Sequence, residues 1–372
     1  MSRMSGALIT LCLAGDVMLG RGVDQVLPHP GDPALEEAYV RDARTYVELA
    51  EAVNGPIPRP VDFPWPWGDT LGILDAAAPD AVVLNLETSV TRSDDFAPDK
   101  AVHYRMHPAN LPCLAAARPD VCVLANNHVL DFGRRGLAET LDALADAGLA
   151  TAGAGRDGAE ARRAAIVPVQ GGGRIVVLGF GMPSSGIPSS WAATTDRSGI
   201  DYVAEASDTA AAAVVARIRE AKRPGDIVVT SIHWGSNWGY VVPREQIRFA
   251  HALVDGGADV VHGHSSHHPR PLELYRGRLI AYGCGDLVND YEGISGHDDY
   301  RDDLRLLYFP SVEPDTGRLL ELRVTPLQAR RMRLWRAAAR DCRWLRDVLG
   351  RISRGFGSPP VQDPDGTLTF GV

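Results

Sequence analysis

The 372-residue chain predicts an α/β fold, a sheet layered with helices. Two observations carry that expectation: short apolar runs that do not alternate with polar residues, and amphipathic helix patterns between them. A third observation points to function. At the carboxyl end of nearly every such run stands a residue able to bind a metal or move a proton.

The strand-like runs are 8–15 (LITLCLAG), 80–87 (DAVVLNLE), 120–128 (DVCVLANNH), 174–181 (RIVVLGFG), 226–235 (DIVVTSIHWG) and 258–264 (ADVVHGH). Continuous apolar runs of this length fit strands covered on both faces. Helix patterns lie at 136–148, 207–222 and 244–257. Residues 273–287 read as a hairpin turning at Gly277, and LLYFPSV with LLELRVTPL adds two strands. Residues 27–68, Pro-rich and ending in FPWPWGD, and 182–204, rich in Ser, Pro and Gly, read as surface insertions of the kind that cover a site. The expected organisation is one catalytic domain over 1–326. An Arg-rich amphipathic helix over 327–355 follows, packing Leu334, Trp335, Leu345 and Leu349, and then a tail to 372.

Composition narrows the function classes. Hydrophobic residues make up 45% and charged residues 23%, enough for a sizeable core. The net charge of −9 argues against a general nucleic-acid binder. The apolar run Ala7–Ala14 is too short to span a bilayer and ends in Asp16, so no membrane anchor is expected and the cytoplasm is the expected location. The five cysteines, Cys12, Cys113, Cys122, Cys284 and Cys342, form no C-x-x-C pair and read as small core residues.

The polar strand ends are Asp16, then Asn85 and Glu87, then Asn126, Asn127 and His128, then His233, then His262, His264, His267 and His268, and finally Asp286. Open α/β sheets bind ligands at that edge. Carboxylates, an amide and imidazoles converging there make a mixed oxygen and nitrogen donor set suited to a divalent cation. Singly, each has a plainer reading: a turn residue, a helix cap or a buried histidine. Coincidence at every strand end is harder to sustain.

The segments GDVMLGRGV, NLETSVT, ANNHVLDFGRRGLAETLDALADAGL, HWGSNWG, GHSSHHPRPLELYRGRLIAYGCGDLV and RISRGFG resemble, in order from about Gly15 to Gly357, the family of CapA-like capsule proteins. That family is linked to poly-γ-glutamate synthesis and belongs to the calcineurin-like metallophosphatase superfamily. The resemblance implies a sandwich of two mixed β-sheets flanked by helices. It also implies Asp16 as first ligand, Glu87 in the place of the bridging carboxylate, Asn127 as amide ligand, His128 for proton transfer, and His233, His264 and His267 as further imidazoles. Asp16-Val17-Met18 stands where the superfamily has Asp-x-His, and Gly285-Asp286 where it has Gly-Asn. Fewer nitrogens and more oxygens favour Mn²⁺, Mg²⁺ or Ca²⁺ over Zn²⁺.

The chain is most similar to a soluble branch of the family, the lasso-peptide epimerases, which implies inversion at the Cα of a C-terminal residue of a precursor peptide. Two general bases on opposite faces of Cα would serve that chemistry. The candidates are His128, supported by Asp131 or Asp16, and His264 or His267, supported by Asp286. Trp65, Trp67, Trp191, Trp234, Trp238 and Tyr240 are candidates for an aromatic substrate wall. The same residues would also suit metal-assisted hydrolysis, or a polymer- or peptide-binding protein without catalysis.

Overall fold

The computed structural model describes residues 8–170, 172–357 and 359–371. Ala7, the first residue of the expected apolar run, lies outside them. Two mixed sheets face each other with helices outside, the architecture the resemblance implies. The larger has ten strands, ordered in space as Val361–Gln362, Leu368–Phe370, Leu319–Ala329, Leu304–Val312, Ile9–Val17, Ala81–Leu86, Val121–Val123 and Ala150–Ala152. Asp286–Val288 adds to Ile9–Val17, and Leu334–Arg336 to Leu319–Ala329. The second, six-stranded sheet runs Leu272–Tyr275, Arg278–Ala281, Val260–His264, Ile227–His233, Arg174–Gly181 and Ala165–Pro168.

Successive side chains of a strand point to opposite faces, and three cores use that alternation. Leu11, Leu13, Val83 and Val123 meet Val177, Val229 and Val260 between the sheets. Cys12, Ala14, Leu84 and Cys122 turn the other way, onto Leu114, Leu137 and Leu141. Val176, Leu178, Val228 and Val261 pack under Val214, Ile218, Phe249 and Leu253. Apolar area leaves water on both faces of each central strand, so these runs carry no polar alternation.

Three helices lie close to their expected places, at Gly133–Asp146, Asp208–Ala221 and Arg244–Asp255. The hairpin Leu272–Tyr275/Arg278–Ala281 turns at Gly277, whose φ is +74°. The insertion 27–68 holds a helix, Arg44–Asn54, that buries Val47 and Ala50 in a core.

The strand expected from LLELRVTPL forms and runs on to Ala329. The helix expected over 327–355 is shorter: it spans Ala339–Ile352 only, and Leu334–Arg336 is a strand. Leu334–Arg336 pairs antiparallel with Leu327–Ala329, so backbone groups that a helix would bond locally are satisfied in the sheet. Leu345 and Leu349 enter the core between the sheets as expected, but Leu334 does its packing from a strand. The expected tail contributes Val361–Gln362 and Leu368–Phe370 to the larger sheet. No helix among the described residues is long and apolar enough to cross a membrane.

Candidate metal centre

The parallel pairing of Ile9–Val17 with Ala81–Leu86 and Asp286–Val288 puts Asp16 level with Asn85 and Asp286. In the second sheet, His233 and His264 are register partners on adjacent parallel strands. Two donor groups result, Asp16/Glu87/Asp286 and Asp16/His233/His264, each with its ligand atoms within 4.8 Å of one another. Asp16 belongs to both. Every one of these side chains is nearly inaccessible to solvent.

Asp16 is fixed by an amide chain. Asn126 Nδ2 donates to Asn85 Oδ1 (3.0 Å), and Asn85 Nδ2 donates to Asp16 Oδ1 (2.7 Å). The Ser265 backbone N–H donates to the other carboxylate oxygen (3.1 Å). His233 Nε2 lies 2.8 Å from Asn127 Oδ1 and 3.7 Å from Glu87 Oε1. His264 is closed in by His233 and by the Ser231 hydroxyl, with Nδ1 3.8 Å from Asp16.

The electrostatics fit a cation. Burial, and next the charge of Asp286, push Asp16 up to about 7. Burial and then Asp16 drive Glu87 well above the usual carboxylate range. Burial holds His233 and His264 neutral, the form in which imidazole ligates. Three clustered buried carboxylates are costly while charged unless a cation or protons offset them. With two imidazoles and the Asn127 amide alongside, the residues present fit a divalent ion.

Two histidine–carboxylate pairs flank the donors. His128 Nδ1 sits 2.7 Å from Asp131 Oδ2, with Nε2 3.8 Å from Glu87. His267 Nδ1 sits 3.0 Å from Asp286 Oδ1. His267 therefore lies beside the donor groups, on the carboxylate side, while His264 lies inside one of them. Of the supporters weighed for His128, Asp131 is in contact and Asp16 bonds elsewhere. His262 is tied to Ser231 and the Ala14 carbonyl, and Asn126 braces Asn85.

The aromatic candidates divide. Trp238 lies 5.3 Å from His267, ring to ring, and Tyr240 4.7 Å from His268. Trp191 stands over Lys100 and helps line a cleft of about 420 Å³ at the His128 side. Trp67 and Trp234 do not wall a site: both are fully buried, with indole N–H groups bonded to the carbonyls of Cys113 and Tyr282. Trp65 bonds the Arg331 carbonyl and stacks with Arg333, in the packing of the 27–68 insertion. Tryptophan in a Pro-rich stretch signals burial of a large apolar ring as readily as a binding wall.

Sequence reasoning missed four participants. Lys100 contacts Asp131 and the Asn127 carbonyl and comes within 3.2 Å of His128 Nδ1. Tyr104 stacks on His128 at 3.8 Å between centroids, and its hydroxyl bonds that of Tyr291, whose ring meets His267 edge-on. Asn289 Nδ2 donates to Asp286 Oδ2 (2.6 Å). Lys100, Tyr104 and Tyr291 lie in loops without a strand-end pattern to mark them, and Asn289 follows the short strand Asp286–Val288.

The bacterial capsule synthesis protein PGA_cap family model matches residues 10–291, which include every donor named above. A probable polyglutamine synthesis accessory protein of Mycobacterium tuberculosis, in strains CDC 1551 and H37Rv, is 54% identical over 97% of this chain and 95% of its own length. The PGA biosynthesis protein CapA of Bacillus subtilis is 28% identical over 77% of this chain and 64% of its own. The capsule biosynthesis protein CapA of Bacillus anthracis is 25% identical over 76% and 60%. With a family match over most of its length and a relative of such identity over nearly all of it, the chain belongs to the bacterial capsule synthesis protein PGA_cap family.

Proposed function

We propose that this protein is a divalent-metal-dependent acid–base enzyme acting on a glutamyl or similarly acidic peptide chain, and that its reaction is proton exchange with inversion at a Cα. The carrying observation is the pair of His–Asp dyads, His128–Asp131 and His267–Asp286, on either flank of one carboxylate cluster. The family's link to poly-γ-glutamate synthesis, with a relative named for PGA biosynthesis, supports an acidic peptide substrate. Mn²⁺, Mg²⁺ or Ca²⁺ fits the oxygen-rich donors better than Zn²⁺.

Asp16, Glu87, Asp286, His233, His264 and Asn127 would hold the ion, which supplies positive charge beside a substrate carboxylate or carbonyl and so acidifies the adjacent α-hydrogen. His128 is neutral, pushed down to about 4 by burial. With Nδ1–H donated to Asp131, its Nε2 is free to take a proton. His267 is raised because Asp286 outweighs the effect of burial, and it carries a proton to return from the other face. Opposed groups in opposite protonation states are what inversion at carbon requires.

A second reading is cleavage or transfer at a peptide-type amide of the same chain. The names of the relatives favour it, since they describe synthesis of a polymer rather than isomerisation. Incubation with γ-linked oligoglutamate and Mn²⁺ in D₂O separates the two. Inversion places deuterium at Cα without cleavage, and His128→Ala or His267→Ala lowers net inversion at least ~100-fold. Wild-type protein that releases shorter chains with no deuterium at Cα would establish the second reading and end the first.

A further inference from the structure

Twelve buried polar side-chain atoms have no hydrogen-bond partner among the described residues, and five of them belong to Tyr240, Gln246, His268 and Arg270. These four residues form one neighbourhood. The Tyr240 and His268 rings meet edge to face at 4.7 Å. A β-carbon on Gly235 would lie 2.7 Å from Arg270 Nη1 and 3.3 Å from Gln246 Nε2, so both side chains reach the same spot.

Arg270 is the unusual member. It is 1% exposed, yet none of the ion pairs among the described residues includes it, and its Nε and Nη1 are unpartnered. Only Nη2 is used, donating to the Ser236 carbonyl (2.9 Å) and hydroxyl (3.0 Å). A guanidinium taken out of water without a counter-charge is costly, and its fork geometry suits a carboxylate. His268 adds a second kind of contact. Its Nδ1 bonds the Pro269 carbonyl, so that nitrogen carries the proton and the unpartnered Nε2 is an acceptor. A fully deprotonated anion has no use for an acceptor, whereas a peptide unit brings an N–H as well as a carboxylate.

The cluster lies directly beneath the Gly235–Gly239 loop. Ser236 and Asn237 are exposed, and the two glycines take φ +83° and +105°. The same loop covers the candidate centre: its Asn237 carbonyl accepts from the His267 backbone N–H (3.0 Å), and Trp238 packs on the His267 ring. We infer that Arg270 and Gln246, backed by the acceptor His268, form a carboxylate-binding subsite under this loop. It takes the free carboxylate of a glutamyl unit neighbouring the one that reacts. This rests on the proposed acidic-chain substrate, and it adds where the chain is gripped.

The test is calorimetric titration of the Mn²⁺-loaded protein with γ-linked triglutamate, and separately with inorganic phosphate. It is run on wild type, Arg270→Met and Gln246→Leu, with a thermal unfolding midpoint for each. Wild type should bind triglutamate, and each variant should bind it at least tenfold more weakly. The Arg270→Met midpoint should stay level or rise, because an uncompensated buried charge is gone. If Arg270→Met fails to fold, Gln246→Leu decides alone. Equal binding by wild type and the variants that fold would overturn the subsite and leave the acidic-chain reading standing. No binding of triglutamate by wild type would overturn both. Phosphate binding lost in the variants while triglutamate does not bind would replace carboxylate by phosphate as the ligand class. Weakened binding with lowered midpoints in the variants that fold would assign these residues a structural role instead.

Discussion

The flanks of the candidate centre carry the same residue types, but their imidazoles are shifted in opposite directions. His128 and His267 each bond a buried aspartate through Nδ1, at 2.7 and 3.0 Å. Yet burial takes His128 down to about 4, and Asp286 carries His267 above its ordinary value against the same penalty. The neighbours explain the difference. Asp131 also receives Lys100 and the Tyr104 backbone N–H, and the Lys100 charge bears directly on His128. Asp286 is one of three clustered carboxylates, so His267 faces an excess of negative charge. A His–Asp contact therefore does not by itself define a base. The charge already spent on the aspartate decides which partner keeps the proton.

The largest effect expected from breaking the comparison comes from the aspartates. Asp286→Asn removes both a donor and the partner of His267, so manganese affinity should fall at least ~10-fold. His267 should then titrate below the ordinary imidazole value. Asp131→Asn touches only the His128 flank, and its manganese affinity should stay within about threefold of wild type, well inside the effect of losing a ligand-shell partner. Calorimetry and histidine-selective NMR would report both. Similar losses of affinity in the two variants would show that the flanks are not independent.

A smaller effect is expected from Lys100→Met. Removing the cation beside His128 should raise that imidazole from about 4 by roughly one unit, while leaving His267 in place. The same NMR titration measures it. A downward shift would show that Lys100 matters mainly by holding Asp131 in position.

The gentlest test is pH. Asp16, raised to about 7, keeps its proton in the folded protein at pH values where an unfolded chain, near the ordinary carboxylate value, has released it. Without metal, stability should therefore fall as pH rises from about 4 to 7, because the folded state binds more protons across that window. Manganese must displace that proton, so its affinity should rise over the upper part of the window. Unfolding midpoints with and without manganese, taken from pH 5 to 8, would follow both trends. Affinity independent of pH would mean that Asp16 is already ionised in the free protein.

Much of this molecule was legible in its sequence. The runs 174–181 and 226–235 announced strands covered on both faces, and they became the middle of the second sheet because apolar burial on two sides is a local pattern. The strand-end positions of Asp16, Glu87, His233 and His264 were legible for the same reason: chain direction along a buried strand fixes which end bears the polar residue. Pairing was not legible. The contact of His128 with Asp131 is local, three residues apart, but that Asp16 would turn to Asn85 and Asp286 instead depended on which parallel strands became neighbours and in what register. Lys100, Tyr104 and Arg270 were invisible, since each acts through a partner distant in the chain that only the folded loops bring near. Trp67 and Trp234 failed as wall residues because an indole satisfies its single N–H on a backbone carbonyl in the core as well as on a ligand. Local periodicity determined the strands and their reactive ends, whereas register, loop closure and the sharing of buried charge, all long-range, decided which of those ends act together.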